Sequence, residues 1–366
     1  MKLGFTKFKG MRDWYGDEAN FLLKLYDKVF KFSVNYGFNY IETPLVENEK
    51  VFVTSLGQTT DVVEKEMFYL KSIGREEKFV LRPEGTAGAL RLYIENGLYS
   101  LPQPIMVFYL EKMYRKENPQ KGRLREFTHW GLEIINTENP FSDFYIIYTN
   151  YQFFKNELGL QNIIIKINSL GCEKCRPKYK NKLISYYRKY KNKVCYDCQR
   201  RLKTNPLRLL DCKNMICQPY KKNAPNILDS LCKACSLHFQ SLLSYLDNTE
   251  INYELDKTLV RGFDYYYRTV WEYFLEGENI ALGGGGRYDL GKIWLDNSIP
   301  SVGSALGLER IKLVLEERGI NLFYKEKPKV FVAYVGEEIK IKAFSIYESL
   351  IKENIPVAFN FFKNIF

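Results

Sequence analysis

The stretch NPQKGRLREFTHWGLE, residues 118–133, decides how this chain is interpreted. It places three cations around one glycine and then enters an aromatic segment that ends on an acid. The apolar residues of 104–114 and 127–135 predict two strands joined by a long basic turn. A carboxylate on an apolar strand is costly to bury unless it is paired or hydrogen-bonded. Glu133 is therefore either a binding group or an acid at an exposed sheet edge.

Other segments extend this hairpin into an α+β fold, an antiparallel sheet flanked by helices. Helical spacing of apolar residues predicts helices over 17–36, 141–158 and 303–318, and a further helix that starts near residue 86. Further strands are predicted at 67–70, 78–81, 259–275 and 281–289. Residues 327–366 predict a single short β-α-β unit.

The composition is that of a folded, basic protein. The chain has 366 residues, 46% of them hydrophobic, and a net charge of +11. This length allows two or three domains, and the charge favours a polyanionic partner such as nucleic acid or a nucleotide. A lysine-rich proteome would give the same charge without such a partner. Because neither a secretory signal nor an apolar span of about 18 residues is recognisable, the expected location is cytoplasmic, without membrane insertion.

The eight cysteines all lie within 172–235, in a segment that we interpret as an inserted small helical domain. Their spacing suggests two groups of four, namely Cys172, Cys175, Cys195, Cys198 and then Cys212, Cys217, Cys232, Cys235. The first group has zinc-ribbon spacing, and the second would be another tetrathiolate. Structural zinc is one interpretation and reduced thiols the other. The spacing alone assigns no metal ligand.

Several charged residues stand where chemistry is expected. Glu84, in RPEGT, precedes a helix start, where backbone N–H groups can hold a carboxylate. Arg261, in LVRGFDYYYR, is predicted on a strand, from which a guanidinium can bind carboxylate or phosphate oxygens. The run GGGG at 283–286 lacks the GK[ST] ending of a P-loop, and we expect it to let a ligand lie against bare backbone. Each feature alone also fits an ordinary structural residue.

Together the motifs resemble those of the histidyl-tRNA synthetase family, a class II aminoacyl-tRNA synthetase, from about residue 9 to residue 361. YGFNYIETPLVE, MYRKENPQKGRLREFTHWGLE and GSALGLER resemble the three class II motifs. LRPEGTAG, TTDVVEKEMF, LVRGFDYY and GGRYD resemble segments specific to the histidine enzyme. NSLGC, CQRRLKTNPLRLLDCK and APNILDSLC resemble its insertion domain.

The resemblance implies that L-histidine is activated with ATP and magnesium and is then transferred to the 3′ end of tRNA(His). It implies a catalytic role for Arg261 and ATP binding by Arg115, Arg123 and Arg310. It implies histidine binding by Glu84, Thr86, His129, Glu133, Tyr265 and Tyr266. It implies contact with the tRNA acceptor end at Gln120 and Arg125, and a homodimer.

Two departures from the family pattern carry expectations of their own. His129 stands where the family has glutamine, and a protonated imidazole would repel the substrate ammonium, so activity is expected to fall at acidic pH. Residues 327–366 are shorter than the family's anticodon-binding domain, so impaired anticodon reading is expected. The expected domains are 1–170 with 256–322 (catalytic), 171–255 (insertion) and 327–366 (partial anticodon-binding).

Two other functions compete with this interpretation. One is a non-catalytic regulatory paralogue, such as the regulatory subunit of the histidine-biosynthesis ATP phosphoribosyltransferase. That class tends to lose the ATP-contacting arginines, which this chain keeps. The other is a zinc-containing nucleic-acid-binding protein, which would leave Glu84, Glu133 and Arg261 unexplained together.

Overall fold

The computed structural model of the chain describes residues 5–57, 60–71, 77–278, 280–322 and 328–360. Most of the predicted turn at 72–77 and part of the linker 326–328 lie outside this range. The described residues divide into two compact units, one within Met1–Trp14 and Leu25–Asn321, the other within Tyr15–Lys24 and Leu322–Phe366. Within the described residues, no helix is long and apolar enough to cross a membrane.

The helices are α1 Gly16–Asn35, α2 Glu49–Leu56, α3 Thr86–Glu95, α4 Pro140–Gln152, α5 Arg176–Arg188, α6 Tyr196–Thr204, α7 Gln218–Lys222, α8 Lys233–Asp247, α9 Leu290–Leu295, α10 Leu308–Glu317 and α11 Lys340–Lys352. The strands are β1 Asn39–Tyr40, β2 Val46–Asn48, β3 Phe68–Tyr69, β4 Phe79–Leu81, β5 Ile105–Tyr114, β6 Glu126–Ile135, β7 Ile163–Ser169, β8 Tyr253–Leu255, β9 Tyr266–Leu275, β10 Gly283–Tyr288, β11 Ser301–Gly307, β12 Val330–Val332 and β13 Val357–Phe359.

The main sheet of the first unit has the strand order β1-β5-β6-β11-β10-β9-β7-β8 among the described residues. The six strands from β5 to β7 are antiparallel, and only the edge strands β1 and β8 pair in parallel with their neighbours. The predicted α+β class with an antiparallel sheet is confirmed, with a parallel pair added at each edge. A smaller antiparallel sheet has the order β2-β4-β3.

The predicted hairpin is formed by β5 and β6, which lie between β1 and β11 in this sheet. β5 and β6 pair over ten residues, from Ile105 opposite Ile135 to Tyr114 opposite Glu126. The last six residues of β6 are all buried. This burial fits the sequence, because a strand covered on both faces is apolar on both rather than alternating.

Two predicted elements differ in the structure. The strand expected from residue 259 begins at Tyr266, so Arg261 lies in the loop before β9 rather than on a strand. The helix expected from Gly303 begins at Leu308, and the preceding residues form β11 between β6 and β10. The segment GSALG is apolar and small, so pairing with strands on both sides decides its structure more than local propensity does.

The predicted insertion leaves the sheet after β7 and returns at β8, which lies beside it. Helices α5 to α7 and a 3-10 helix at Pro206–Asp211 surround a small apolar core that includes Tyr179, Leu183 and Leu209. The segment lies in the same compact unit as the main sheet. The domain boundaries expected from the sequence stay a prediction.

The second unit contains the predicted β-α-β arrangement. β12 and β13 pair in parallel, from Val330 opposite Val357 to Val332 opposite Phe359, with α11 between them in the chain. Ala343 of α11 is buried.

Candidate active site

One cavity of about 780 Å³ opens beside the hairpin in the first unit. Nine of the predicted site residues line it, namely Glu84, Thr86, Arg115, Arg123, His129, Arg261, Tyr265, Tyr266 and Arg310. Glu133 is fully buried and lies behind Thr86. The two glycines Gly283 and Gly284 also line the cavity, as expected for the glycine run. Acidic and basic groups therefore meet in one place, although they come from segments far apart in the chain.

Glu84 is fixed by the start of α3. Its carboxylate accepts the backbone N–H groups of Thr86 at 2.8 Å and Ala87 at 2.9 Å. Burial raises the pKa of Glu84, and the two backbone hydrogen bonds oppose that shift by stabilising the anion. A carboxylate held in this way can receive a substrate ammonium group.

Glu133 lies on β6, and its carboxyl group accepts hydrogen bonds from two hydroxyl groups. One carboxyl oxygen accepts the Thr86 hydroxyl at 2.8 Å and the other accepts the Tyr288 hydroxyl at 2.9 Å. Burial raises the pKa of Glu133 to about 8, although both hydrogen bonds act in the opposite direction. Of the two alternatives for Glu133, the edge-exposed acid is excluded, since the residue has no exposed surface.

The two predicted tyrosines follow the Arg261 loop. The hydroxyls of Tyr265 and Tyr266 lie 3.5 Å apart, and both rings are buried. The tyrosine that donates to Glu133 is Tyr288. Tyr288 belongs to the GGRYD motif, but sequence reasoning did not select it.

His129 reaches the cavity from β6, four residues before Glu133. Its Nδ1 atom is buried and has no hydrogen-bond partner in the structure. Burial lowers the pKa of His129 well below its ordinary value, and the guanidinium groups of Arg115, Arg310 and Arg261 lower it further. The imidazole is therefore neutral near pH 7, with a nitrogen available to a ligand.

Three arginines lie close to the basic turn that joins β5 and β6. Glu117 lies between Arg115 at 3.7 Å and Arg123 at 3.2 Å. Arg310 of α10 donates to the carbonyl oxygens of Gly122 at 2.9 Å and Ala281 at 2.8 Å. Burial lowers the pKa of Arg310, as does the nearby positive charge of Arg123. Such a cluster of cations is suited to a polyanionic ligand.

Arg261 lies in a loop, and contacts with residues of neighbouring segments fix the position of its side chain. Its guanidinium forms an ion pair with Glu272 of β9 and lies 5.6 Å from the centre of the Tyr266 ring. A Cβ atom at Gly284 would lie 3.0 Å from Arg261 Nη1, so the glycine leaves room for the guanidinium. The buried Nε atom has no hydrogen-bond partner. Sequence reasoning missed Glu272, because its role comes from the neighbouring strand.

The two residues predicted at the tRNA acceptor end do not line the cavity among the described residues. Gln120 and Arg123 exchange backbone hydrogen bonds across a tight turn in which Gly122 has a φ of 69°. Arg125 donates to the carbonyl oxygens of Glu117 at 3.0 Å and Lys9 at 3.1 Å.

The insertion provides another wall of the cavity. Arg208 donates to Asp61 at 3.1 Å and to the carbonyl oxygen of Arg261 at 3.3 Å. Its side chain is 9% exposed. Neither Arg208 nor Asp61 was predicted, since nothing in the local sequence indicates that the insertion contacts the Arg261 loop.

The cysteines form groups other than the two expected from spacing. The structure joins Cys172, Cys175, Cys232 and Cys235 in one group and Cys195, Cys198, Cys212 and Cys217 in the other. The expected pairing of the first four and of the last four is therefore wrong. The insertion starts after β7 and ends before β8, and these two strands are adjacent. The first and last cysteine pairs of the insertion therefore lie together, and the two cysteine pairs between them form the other group.

Known proteins match both the sequence and the fold. The family model described as histidyl-tRNA synthetase matches residues 10–172 and 206–311. The histidine–tRNA ligase of Thermosipho melanesiensis is 42% identical over 359 residues, covering 97% of this chain and 85% of that protein.

Solved structures agree with these sequence matches. The apo histidyl-tRNA synthetase of S. aureus has a TM-score of 0.80 and 29% identity, covering 98% of this chain and 86% of that one. A Bacillus halodurans protein named as an ATP phosphoribosyltransferase regulatory subunit/histidyl-tRNA synthetase has a TM-score of 0.67 and 20% identity, covering 100% of this chain and 96% of that one. The second likeness shows the fold alone. The chain belongs to the histidyl-tRNA synthetase family.

Proposed function

We propose that this chain is a histidine–tRNA ligase, which activates L-histidine with ATP and transfers it to the 3′ end of tRNA(His). One observation carries the proposal. Two buried carboxyl groups and four arginines lie around a single cavity. An amino acid needs the carboxyl groups, and a nucleoside triphosphate needs the cations. Translation gives the activity a cytoplasmic location.

The histidine end of the cavity is assigned to Glu84, Thr86 and Glu133. Glu84 receives the substrate ammonium, and the Thr86 hydroxyl lies between the two acids. Glu133 hydrogen-bonds to the imidazole of the substrate, and Tyr265 and Tyr266 form the aromatic wall of the site. A ligand without the ring N–H would lose its hydrogen bond to this buried carboxyl group, which is the basis of discrimination.

The phosphate end is assigned to the arginines. Attack of the histidine carboxylate on the α-phosphate breaks the bond to pyrophosphate and forms a mixed anhydride, so the protein must stabilise charge rather than supply a nucleophile. Arg261 and Arg115 act at the α-phosphate, and Arg123 and Arg310 bind the outer phosphates. Magnesium enters with ATP and neutralises phosphate charge.

The unpartnered nitrogens support the same assignment. Arg261 Nε and His129 Nδ1 are both buried without hydrogen bonds in the structure. Buried polar atoms normally have partners, so these two atoms are best explained as contacts for the substrate.

A tRNA acceptor end and a second copy of the chain complete the proposal. Gln120 and Arg125 belong to the basic turn, which suits contact with phosphates and bases. Exposed apolar side chains on β1 and on the neighbouring face of α1 support a homodimer, with Tyr40 43% and Phe30 42% exposed and their rings 5.5 Å apart. Light scattering after gel filtration measures the dimer.

Histidine-dependent ATP–pyrophosphate exchange tests the activation step, and charging of tRNA(His) tests the transfer. Exchange is expected with the unmodified chain and is expected to fall by orders of magnitude in Arg261→Ala. Arg200→Ala is a suitable control, since Arg200 pairs with Glu64 at 3.6 Å and is 43% exposed.

The alternative is the regulatory paralogue, a name that the Bacillus halodurans protein of the same fold carries beside histidyl-tRNA synthetase. Folded, dimeric protein that binds histidine without supporting exchange would favour that alternative and contradict the ligase.

A further inference from the structure

We propose that the insertion binds two structural zinc ions, one at Cys172, Cys175, Cys232 and Cys235, and one at Cys195, Cys198, Cys212 and Cys217. These sites go beyond the ligase activity, because no step of that reaction needs them. All eight cysteines of the chain are used, and all eight are free thiols in the structure.

The first site, here called the outer cluster, closes the base of the insertion. The sulfur of Cys172 lies 3.7 Å from that of Cys175 and 3.8 Å from that of Cys232. The backbone N–H of Cys232 donates to the Cys175 sulfur at 3.0 Å. Cys175 and Cys232 stand at the N-terminal ends of α5 and α8.

The second site, here called the inner cluster, lies in the middle of the insertion and beside the cavity. The sulfurs of Cys195 and Cys212 are 3.8 Å apart, and the N–H of Cys195 donates to the Cys217 sulfur at 3.2 Å. Cys198 has no exposed surface. Cys195 and Cys212 also line the active-site cavity.

The sulfur geometry fits a single tetrahedral metal. In each cluster the four sulfur atoms lie within 4.8 Å of one another. A Zn–S bond of about 2.3 Å in a tetrahedron sets sulfur atoms about 3.8 Å apart, whereas a disulfide needs about 2 Å. A multi-iron cluster would hold its thiolates further apart, because they bind different iron atoms. Tetrahedral four-thiolate sites hold zinc or iron, and zinc is the usual metal of closed structural sites of this kind.

The inner cluster also has a structural consequence for the active site. Its ligands Cys198 and Cys212 flank the 3-10 helix that carries Arg208. Arg208 in turn reaches Asp61 and the Arg261 carbonyl oxygen. Zinc at the inner cluster would therefore fix the segment that supports the Arg261 loop, since metal ligation removes its conformational freedom.

Metal analysis of the full chain is the first test. Protein expressed in zinc-supplemented medium and purified without chelators is expected to contain two zinc ions per chain, one for each cluster, by native mass spectrometry and elemental analysis. X-ray absorption at the zinc edge is expected to give four sulfur neighbours at about 2.3 Å. Substoichiometric zinc, stoichiometric iron, or nitrogen and oxygen ligands would overturn the proposal.

The pairing is tested on the unmodified chain by partial chelation followed by thiol alkylation. Loss of one zinc exposes one complete ligand set, so Cys172 is expected to become labelled together with Cys232, and Cys195 together with Cys212. Labelling of Cys172 together with Cys195 would overturn the nested pairing.

Paired substitutions give an independent measurement. Cys172→Ser with Cys232→Ser removes ligands from one cluster and is expected to lose one zinc. Cys172→Ser with Cys195→Ser removes a ligand from each cluster and is expected to lose both. The reverse pattern would contradict the pairing. If either double variant fails to fold, the alkylation pattern of the unmodified chain still decides the question.

Discussion

Glu133 is a buried acid whose protonation depends on folding. Burial raises its pKa to about 8 in the folded chain, above the ordinary value of 4.5. The folded state therefore holds a proton that the unfolded state releases between these two values. The contribution of Glu133 to the free energy of unfolding is therefore fully present below pH 4.5. It is lost as the pH rises towards 8.

Substitution of Glu133 tests this pH dependence. Between pH 5 and pH 8, the unfolding free energy of the unmodified chain is expected to fall relative to Glu133→Gln, by up to about 1.4 kcal/mol per pH unit. The difference between the two proteins cancels the other titrating groups. Denaturant unfolding at several pH values measures it, and parallel curves would show that Glu133 has an ordinary pKa.

His129 is expected to have little effect on the pH profile near neutrality. A protonated imidazole would repel the substrate ammonium, but burial and three arginines lower the pKa of His129 well below its ordinary value. Activity loss from this residue is therefore expected only in strongly acidic solution. The pH–rate profiles of ATP–pyrophosphate exchange for the unmodified chain and His129→Gln are expected to run parallel from pH 6 to 8. A limb near the ordinary imidazole pKa, absent in His129→Gln, would contradict this expectation.

At the scale of elements, β11 lies against β6 with almost no space between them. Gly303 pairs with Glu133, and a Cβ atom at Gly303 would lie 1.7 Å from a Glu133 carboxyl oxygen. Gly303→Ala is expected to destabilise the fold by about 1–3 kcal/mol, because the buried carboxyl group must move. Thermal unfolding measures the loss.

A matched control lies in the same strand. A Cβ atom at Gly307 would come no closer than 3.7 Å to its neighbours, and its φ is −87°. Gly307→Ala brings the same change in unfolded-chain entropy without the clash. Gly307 is also the N-cap of α10, where alanine is less favourable than glycine, so a loss smaller than that of Gly303→Ala is expected. Equal losses in both variants would mean that contact with Glu133 is not the cause.

The 3-10 helix of the insertion is expected to affect catalysis through Arg208, a positioning residue. Arg208→Lys cannot keep the hydrogen bonds to both Asp61 and the Arg261 carbonyl oxygen. Loss of hydrogen bonds to a charged group costs about 1.5–3 kcal/mol, so kcat is expected to fall about 10- to 100-fold. Steady-state kinetics with circular dichroism separates this effect from unfolding. Arg200→Lys, at an exposed ion pair between the insertion and Glu64, is expected to leave kcat unchanged.

The elements differ in how well their sequences predicted them. The β5–β6 hairpin was predictable, since apolar strands flank a polar turn with a glycine. The boundary between β11 and α10 was not, because GSALG carries no helical or strand period. The start of β9 was also missed, since the aromatic residues after Arg261 resemble a strand although the first of them belong to a loop.

At the scale of the whole molecule, the family resemblance predicted most of the side chains that line the cavity. It did not predict the residues that hydrogen-bond to those side chains and fix their positions. Glu272 and Tyr288 come from neighbouring strands and Arg208 from the insertion, so only the tertiary structure reveals them. The cysteines show the same limit. Spacing along the chain suggested consecutive groups, whereas the return of the insertion to its starting point produces nested ones.

Removal of metal is expected to loosen the insertion and leave the main sheet folded. Outside its cysteines the insertion has only a small apolar core, whereas the ten-residue β5–β6 pairing does not involve the cysteines. In the metal-free chain, hydrogen exchange is expected to accelerate over residues 172–235 and to stay slow in β5 and β6. Charging of tRNA(His) is expected to fall with it, because Arg208 no longer supports the Arg261 loop, and both are expected to recover when zinc is returned. Unchanged exchange over 172–235 after complete removal of zinc would show that the insertion folds without metal.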